Sequence, residues 1–172
     1  MLKLAGAALV LFAGTMIGFM QAAKFAQRPK QIRQLLHALQ RLETEIGYGQ
    51  TPLPEALARI AAALTAPVAA LFAEASALLS SGSGETVAAC WERAFKAGWP
   101  STSMKSPERD TMLRLGETLG ASGAGDQMKH LKLAMHQLQA EEQSAREDQQ
   151  RYEKLCRSLG VLTAALVVIL MM

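Results

Sequence analysis

Both ends of the chain are apolar and uncharged, and that pair of runs constrains the fold more than anything between them. Residues 4–23, LAGAALVLFAGTMIGFMQAA, contain no Asp, Glu, Lys or Arg. As a helix rising about 1.5 Å per residue, the run matches the roughly 30 Å hydrocarbon core of a bilayer. Residues 158–172, SLGVLTAALVVILMM, are also uncharged, but they reach only about 22 Å as a helix. The second span closes if hydrocarbon contact begins at Leu155 and Arg157 snorkels its guanidinium back to the headgroups. A cleaved signal peptide is the competing reading of the first run. It is disfavoured because Phe19, Met20 and Gln21 lead up to Ala22 and Ala23, where a peptidase needs small residues at alternate positions, and the run has no cysteine to take a lipid.

Flanking charge sets the orientation. Lys24, Arg28, Lys30 and Arg33 follow the first run, and Arg151, Lys154 and Arg157 precede the second, whereas the outer ends offer only Lys3 and the amino terminus. By the positive-inside rule the middle faces the cytoplasm and both termini lie across the membrane. The expected organisation is a span over residues 1–24, a cytoplasmic bundle with a polar stalk over 25–151, and a second span over 152–172. The two cysteines, Cys90 and Cys156, are too few for a disulfide framework and fit a reducing compartment.

The middle reads as helices throughout. Half the residues are hydrophobic but only 5% are aromatic, so the apolar content is mostly Ala, Leu, Val and Met, a composition that favours helix over strand. Ile32, Leu35, Leu36, Leu39, Leu42 and Ile46 recur at spacings of three and four, predicting a helix over about 29–47 with Pro29 in its first turn. Thr51 is placed to cap a second helix striped by Leu53, Leu57, Ile60 and Leu64, with Pro52 and Pro54 among its first positions. Thr65-Ala66-Pro67 ends it and opens a third, with Val68, Leu71, Phe72, Ala75, Leu78 and Leu79 on one side. A fourth is expected over about 85–97, with Val87, Trp91, Ala94 and Phe95 inward, stopped at Gly98-Trp99-Pro100. In the fifth, Ser106 caps, Pro107 takes the first position, Glu108 complements the positive helix end, and Met112, Leu115 and Leu119 face the core as far as Gly120.

The last helix begins near Gly125 or Asp126 with Met128, Leu131, Met135 and Leu138 on one face. Residues 139–151, QAEEQSAREDQQR, then offer alanine as their one apolar type, the pattern of a solvated connector. With no Gly or Pro from Gln127 to Leu159, one unbroken helix runs from the bundle through this stalk into the second span. The fold class expected is all-α: a two-span hairpin carrying an antiparallel bundle of about six helices.

The search for chemistry is mostly negative. There is no GxxxxGK[ST], GxGxxG after a strand, HExxH or CxxC, and Gly120-Ala121-Ser122-Gly123-Ala124 imitates a nucleophile elbow without its final glycine or preceding strand. His130 and His136 stand about 240° apart on a helix, too far round to share a metal, and His37 is alone. Glu43 and Glu45 point to nearly opposite sides, which unsuits them as an acid–base pair. The expectation is no enzyme, no catalytic residue, no cofactor and no metal. Charge is only mildly basic, 18 Lys+Arg against 15 Asp+Glu, and it is scattered, which argues against nucleic acid as a partner. Gly14 and Gly18, with Gly6, let the first span approach another helix closely, either the second span through Gly160 and Ala164 or another copy of the protein.

Four stretches carry a resemblance to a known family: MLKLAGAALVLFAGTMIGF at the start, LETEIGYGQTPLPEAL over 42–57, LGETLGASGAGDQMKHL over 115–131, and YEKLCRSLGVLTAALVVIL from Tyr152. Together they look like the stage III sporulation protein AB family, with GxTPLPEAL the most specific element. At residues 122–125 the sequence departs from the Ser-Asp pair the family places before its last helix, and Asp126 stands slightly late. The resemblance implies a non-enzymatic platform in the stage III A complex linking mother cell to forespore, and a cytoplasmic domain similar to that of type II secretion F proteins. It implies a location in the mother-cell membrane around the forespore. The implied partners are the operon's secretion-type ATPase, stage III sporulation protein AA, the other membrane proteins of the complex and the bilayer itself. The expected partner surface is Glu43, Glu45, Tyr48, Gly49, Thr51, Pro52, Leu53, Pro54 and Glu55, where glycines allow a tight turn before a proline-led helix. A small pore of holin type is the other class of function, but only Thr15, Ser158 and Thr163 supply polar side chains within the spans. A membrane-tethered enzyme built from distant helices is a third.

Overall fold

The computed structural model describes residues 25–47, 51–82, 84–119 and 123–171. Among them are six α-helices and one short 3-10 turn, with no strand. In chain order these are α1 (25–47), α2 (Leu53–Ala62), α3 (Val68–Ser80), α4 (Val87–Gly98), the 3-10 turn Trp99–Ser101, α5 (Ser106–Thr118) and α6 (Ala124–Met171). Successive helices from α2 onward pack against one another. α1 runs antiparallel to α6: Phe25 meets Tyr152, Arg33 meets Glu142 and Glu43 meets Lys132.

The periodic stripes found their targets. Ile32, Leu35, Leu39, Leu42, Leu57, Leu71, Phe72, Trp91, Phe95, Met112, Leu131 and Leu138 are all buried in one continuous core, each worth about 1.5–3 kcal/mol when fully withdrawn from water. The 48-residue α6 is unbroken, as the absence of Gly and Pro from Gln127 to Leu159 implied.

Helix starts differ from expectation in four places, each for a local reason. α1 is already helical before Pro29, which therefore lies inside it, leaving the Phe25 carbonyl without its i+4 donor. Thr51 does not cap α2; Pro52 occupies the cap position in extended geometry, and its carbonyl accepts the first helical bond from Ala56 N–H at 3.0 Å. α4 begins at Val87 because the Thr86 side chain accepts from Ala89 N–H. At α5 the cap is Lys105 rather than Ser106, since Glu108 reaches back to accept from the Lys105 N–H at 2.9 Å.

Residues 1–24, with the first apolar run and Gly6, Gly14 and Gly18, lie outside the described residues, as do Tyr48 and Gly49. Beyond Leu155, Gly160 and Ala164 included, the helical backbone alone is described. Among the described residues no helix is long and apolar enough to cross a membrane.

Candidate functional site

The expected partner surface sits at the α1–α2 corner, where much of it serves the fold. Leu53 packs against the core, and the Pro54 carbonyl accepts from Ser76 Oγ at 2.7 Å, tying the start of α2 to α3. Glu43 and Glu45 are half-buried on α1, with Glu43 facing Lys132 of α6 at 3.9 Å. Thr51 is half-buried beside Pro52. Only Pro52 and Glu55 present themselves fully to solvent, and Glu55 pairs with Arg59 one turn on at 2.6 Å. A ligand meeting this corner would therefore read Pro52, Glu55 and Arg59.

The stalk is the main correction. Residues 139–151 are not solvated all round: Glu141, Glu142 and Asp148 are turned against Arg28 and Arg33 of α1 and the α5 cap Lys105, while Gln139, Gln143, Arg146, Glu147 and Gln150 stay exposed. Arg28, 3% exposed, donates through Nε to Glu108 Oε1 at 2.7 Å, through Nη2 to Glu141 at 2.9 Å and through Nη1 to Asp148 at 3.3 Å. Glu108 is fully buried, and its second oxygen takes the Lys105 N–H already described. Lys105 Nζ adds a bond to Asp148 at 3.1 Å. Ala145, the apolar residue of that stretch, is 1% exposed between these pairs. The composition was read as polar and hence wet all round; in the fold, opposite charge on α1 and at the start of α5 meets one face of the stretch. A single buried Arg satisfied by three carboxylates is costly to desolvate and costly to break. Glu108, taken from the sequence as a surface helix-end charge, is thus the centre of the network. Its signal in the sequence was the i to i+3 relation to Lys105, which no linear pattern links to Arg28.

The same contact accounts for charges assigned above to membrane orientation. Arg28 is buried, and Arg33 donates to Glu142 at 3.0 Å. Arg33 stays exposed while paired, and Lys30, Arg151 and Lys154 are exposed with no ion pair among the described residues.

Glu142 gives the clasp a pH signature. Burial by itself would raise its carboxyl, but hydrogen bonds from Arg146 and Arg33 outweigh that and hold it below its ordinary value of 4.5. A carboxyl depressed by folding contributes stability that is complete above the unfolded value and lost as pH falls through the folded one. Glu142→Gln should therefore lower the melting temperature at neutral pH, and the gap to wild type should close as the pH drops below 4.5. Thermal melts across that range check this; a gap that stays constant with pH would show that Glu142 acts through packing instead.

No reactive constellation appears on the described surface. Among the described residues no three of His, Cys, Asp and Glu are placed to hold a metal ion. His37, His130 and His136 are all exposed, each on its own patch of helix. Cys90 is buried, and burial foremost, then the Glu85 carboxylate 3.7 Å from its sulfur, pushes its thiol up, making it a packing group and a poor nucleophile.

Comparison with known proteins matches the sequence over nearly the whole chain and the fold over most of it. Residues 3–172 match the family described as stage III sporulation protein AB. Stage III sporulation protein AB of Bacillus subtilis (strain 168) is 43% identical over 172 residues, covering 100% of both chains. A solved structure of stage III sporulation protein AB aligns with a TM-score of 0.70 at 43% identity, over 73% of this chain and 98% of that one. With full-length sequence similarity and the same helical fold, this chain belongs to the stage III sporulation protein AB family.

Proposed function

We propose that the chain is a membrane-anchored platform of the stage III A sporulation complex, whose cytoplasmic bundle docks the secretion-type ATPase of the same operon. The observation that carries this reading is the side-by-side position of Phe25 and Tyr152. Phe25 and Tyr152 stack with ring centroids 3.7 Å apart, so the start of α1 and residue 152 of α6 lie at the same end of the bundle. A two-span hairpin needs that arrangement. The mother-cell membrane around the forespore is the proposed location, with the bundle on the cytoplasmic side and both termini across the bilayer.

The network at Arg28 supports a mechanical role. It fastens α5 to the α1–α6 pair, so force or position delivered to the bundle reaches the stalk through charged hydrogen bonds rather than through a loose tether. At the far end, the α1–α2 corner with Pro52, Glu55 and Arg59 is the proposed ATPase contact.

The test uses the full chain in lipid nanodiscs with the purified ATPase. The expected result is no nucleotide hydrolysis by the chain alone, altered turnover when the ATPase is added, and loss of that effect with Glu55→Lys while the melting temperature is unchanged. Turnover indifferent to the chain would overturn the docking role. Recovery of the chain from the aqueous fraction of cells without detergent would overturn the anchor.

A further inference from the structure

Where α1 and α6 meet at residues 25 and 152, the surface changes character. Tyr152 and Leu155 are 40% and 51% exposed, two of the three large apolar side chains that stand out in solvent among the described residues. They sit three apart on α6, on one face of the helix. The Tyr152 ring is braced by Phe25 at an interplanar angle of 18°. Arg151 and Lys154 stand exposed beside them on α6, and Lys30 is exposed on α1 five residues, about 7.5 Å, from Phe25 toward the bundle. The nearest carboxylate below, Asp148, is engaged by Arg28 and Lys105, and Glu147 accepts from Gln143 at 3.0 Å. An aromatic and aliphatic patch with exposed cations beside it has the composition of a bilayer interface, where amphipathic rings settle at headgroup level and basic residues meet anionic lipid.

We infer that this end of the α1–α6 pair is an interfacial collar that binds anionic phospholipid headgroups and fixes how deep the bundle sits. The inference rests on the membrane-anchor reading above. Sequence distance places the collar: Phe25 stands two residues after the first uncharged run, and Tyr152 stands six before the second. Six helical residues rise about 9 Å, so with Leu155 at the edge of the hydrocarbon the stacked rings lie in the headgroup layer beside Arg151 and Lys154. Arg151 and Lys154 then stand at the phosphates and Lys30 just beneath them, none of the three ion-paired among the described residues, whereas Arg28 and Arg33 are paired with carboxylates.

Two measurements on the full chain test it, in vesicles of phosphatidylcholine with and without phosphatidylglycerol. A fluorophore on Leu155→Cys, with Cys90→Ala and Cys156→Ser removing the native thiols, should be shielded from an aqueous quencher and quenched by lipid spin-labelled near the headgroup. The same label on Ser80→Cys should be open to water. Phosphatidylglycerol retained by the detergent-purified chain should fall by about fivefold for each of Lys30, Arg151 and Lys154 changed to Gln. If the chain floats with the vesicles yet the Leu155 label stays open to water, or retention ignores all three changes, the collar is overturned and the anchor stands. A chain that does not float at all overturns both.

Discussion

Gly116→Ala is expected to destabilise the bundle by about 3–5 kcal/mol, the sum of an overpacked contact and a strained hydrogen bond. A Cβ at position 116 would fall 2.2 Å from Trp91 Cδ1 and 2.7 Å from Cγ, and the indole has no room to retreat. Trp91 is fully buried, stacked on Phe95 at 4.4 Å and met edge-on by Phe72 at 5.9 Å. Its Nε1–H donates to the Met112 carbonyl at 2.8 Å, one turn before Gly116 on the same helix. The pyrrole edge of the indole therefore abuts the backbone of α5, and only a residue without a side chain permits that approach. Chemical denaturation should show the loss, and Gly116→Ala combined with Trp91→Phe should recover part of it, because the smaller ring yields space. If Gly116→Ala alone melts like wild type, α4 and α5 are not held this closely. Gly98, whose Cβ would meet the tip of Leu71 at 2.5 Å, should tolerate alanine better, since a leucine methyl can turn away.

The second large effect is at the ionic clasp. Arg28→Met leaves Glu108 fully buried with the Lys105 N–H as its remaining hydrogen-bond partner, and an uncompensated buried charge costs about 3–5 kcal/mol. At roughly 2–4 °C per kcal/mol for a chain of this size, the melting temperature should fall by on the order of 10 °C. The diagnostic variant is the double one. Arg28→Met with Glu108→Met removes both charges and should melt close to wild type, because paired buried ions contribute little against well-packed apolar replacements. A double variant as unstable as the single one would mean that Glu141, Asp148 and Lys105 depend on Arg28 more than Glu108 does.

These two predictions mark what could and could not be read from the chain. The helices were legible because burial imprints a spacing of three and four on Leu, Ile and Phe, and the stripes at Ile32 to Leu42 and at Leu131 to Leu138 are that imprint. Their starts were less so. A cap depends on which oxygen reaches which N–H, and at α2 and α5 a proline carbonyl and a glutamate carboxylate took the role assigned to Thr51 and Ser106. The clasp was invisible for a different reason. Arg28 lies 80 positions from Glu108 and 120 from Asp148, so nothing local separates it from the other cations that flank the first apolar run. Read one helix at a time, residues 139–151 could only look hydrophilic; their partners lie on other helices. The proposed partner corner was half legible: the proline-led turn exists, but Leu53 and Pro54 are used to build it.

The length of α6 has a consequence for any motion the protein passes on. Forty-eight residues in one helix make a rod of about 72 Å. If its carboxy-terminal end is anchored in lipid as proposed, tilting the rod by about 10° would carry its other end, and the bundle packed along it, through roughly 12 Å, about the width of a neighbouring helix. Small rotations at the foot would thus be magnified at the head, and a partner seated there would feel a long lever rather than a spring.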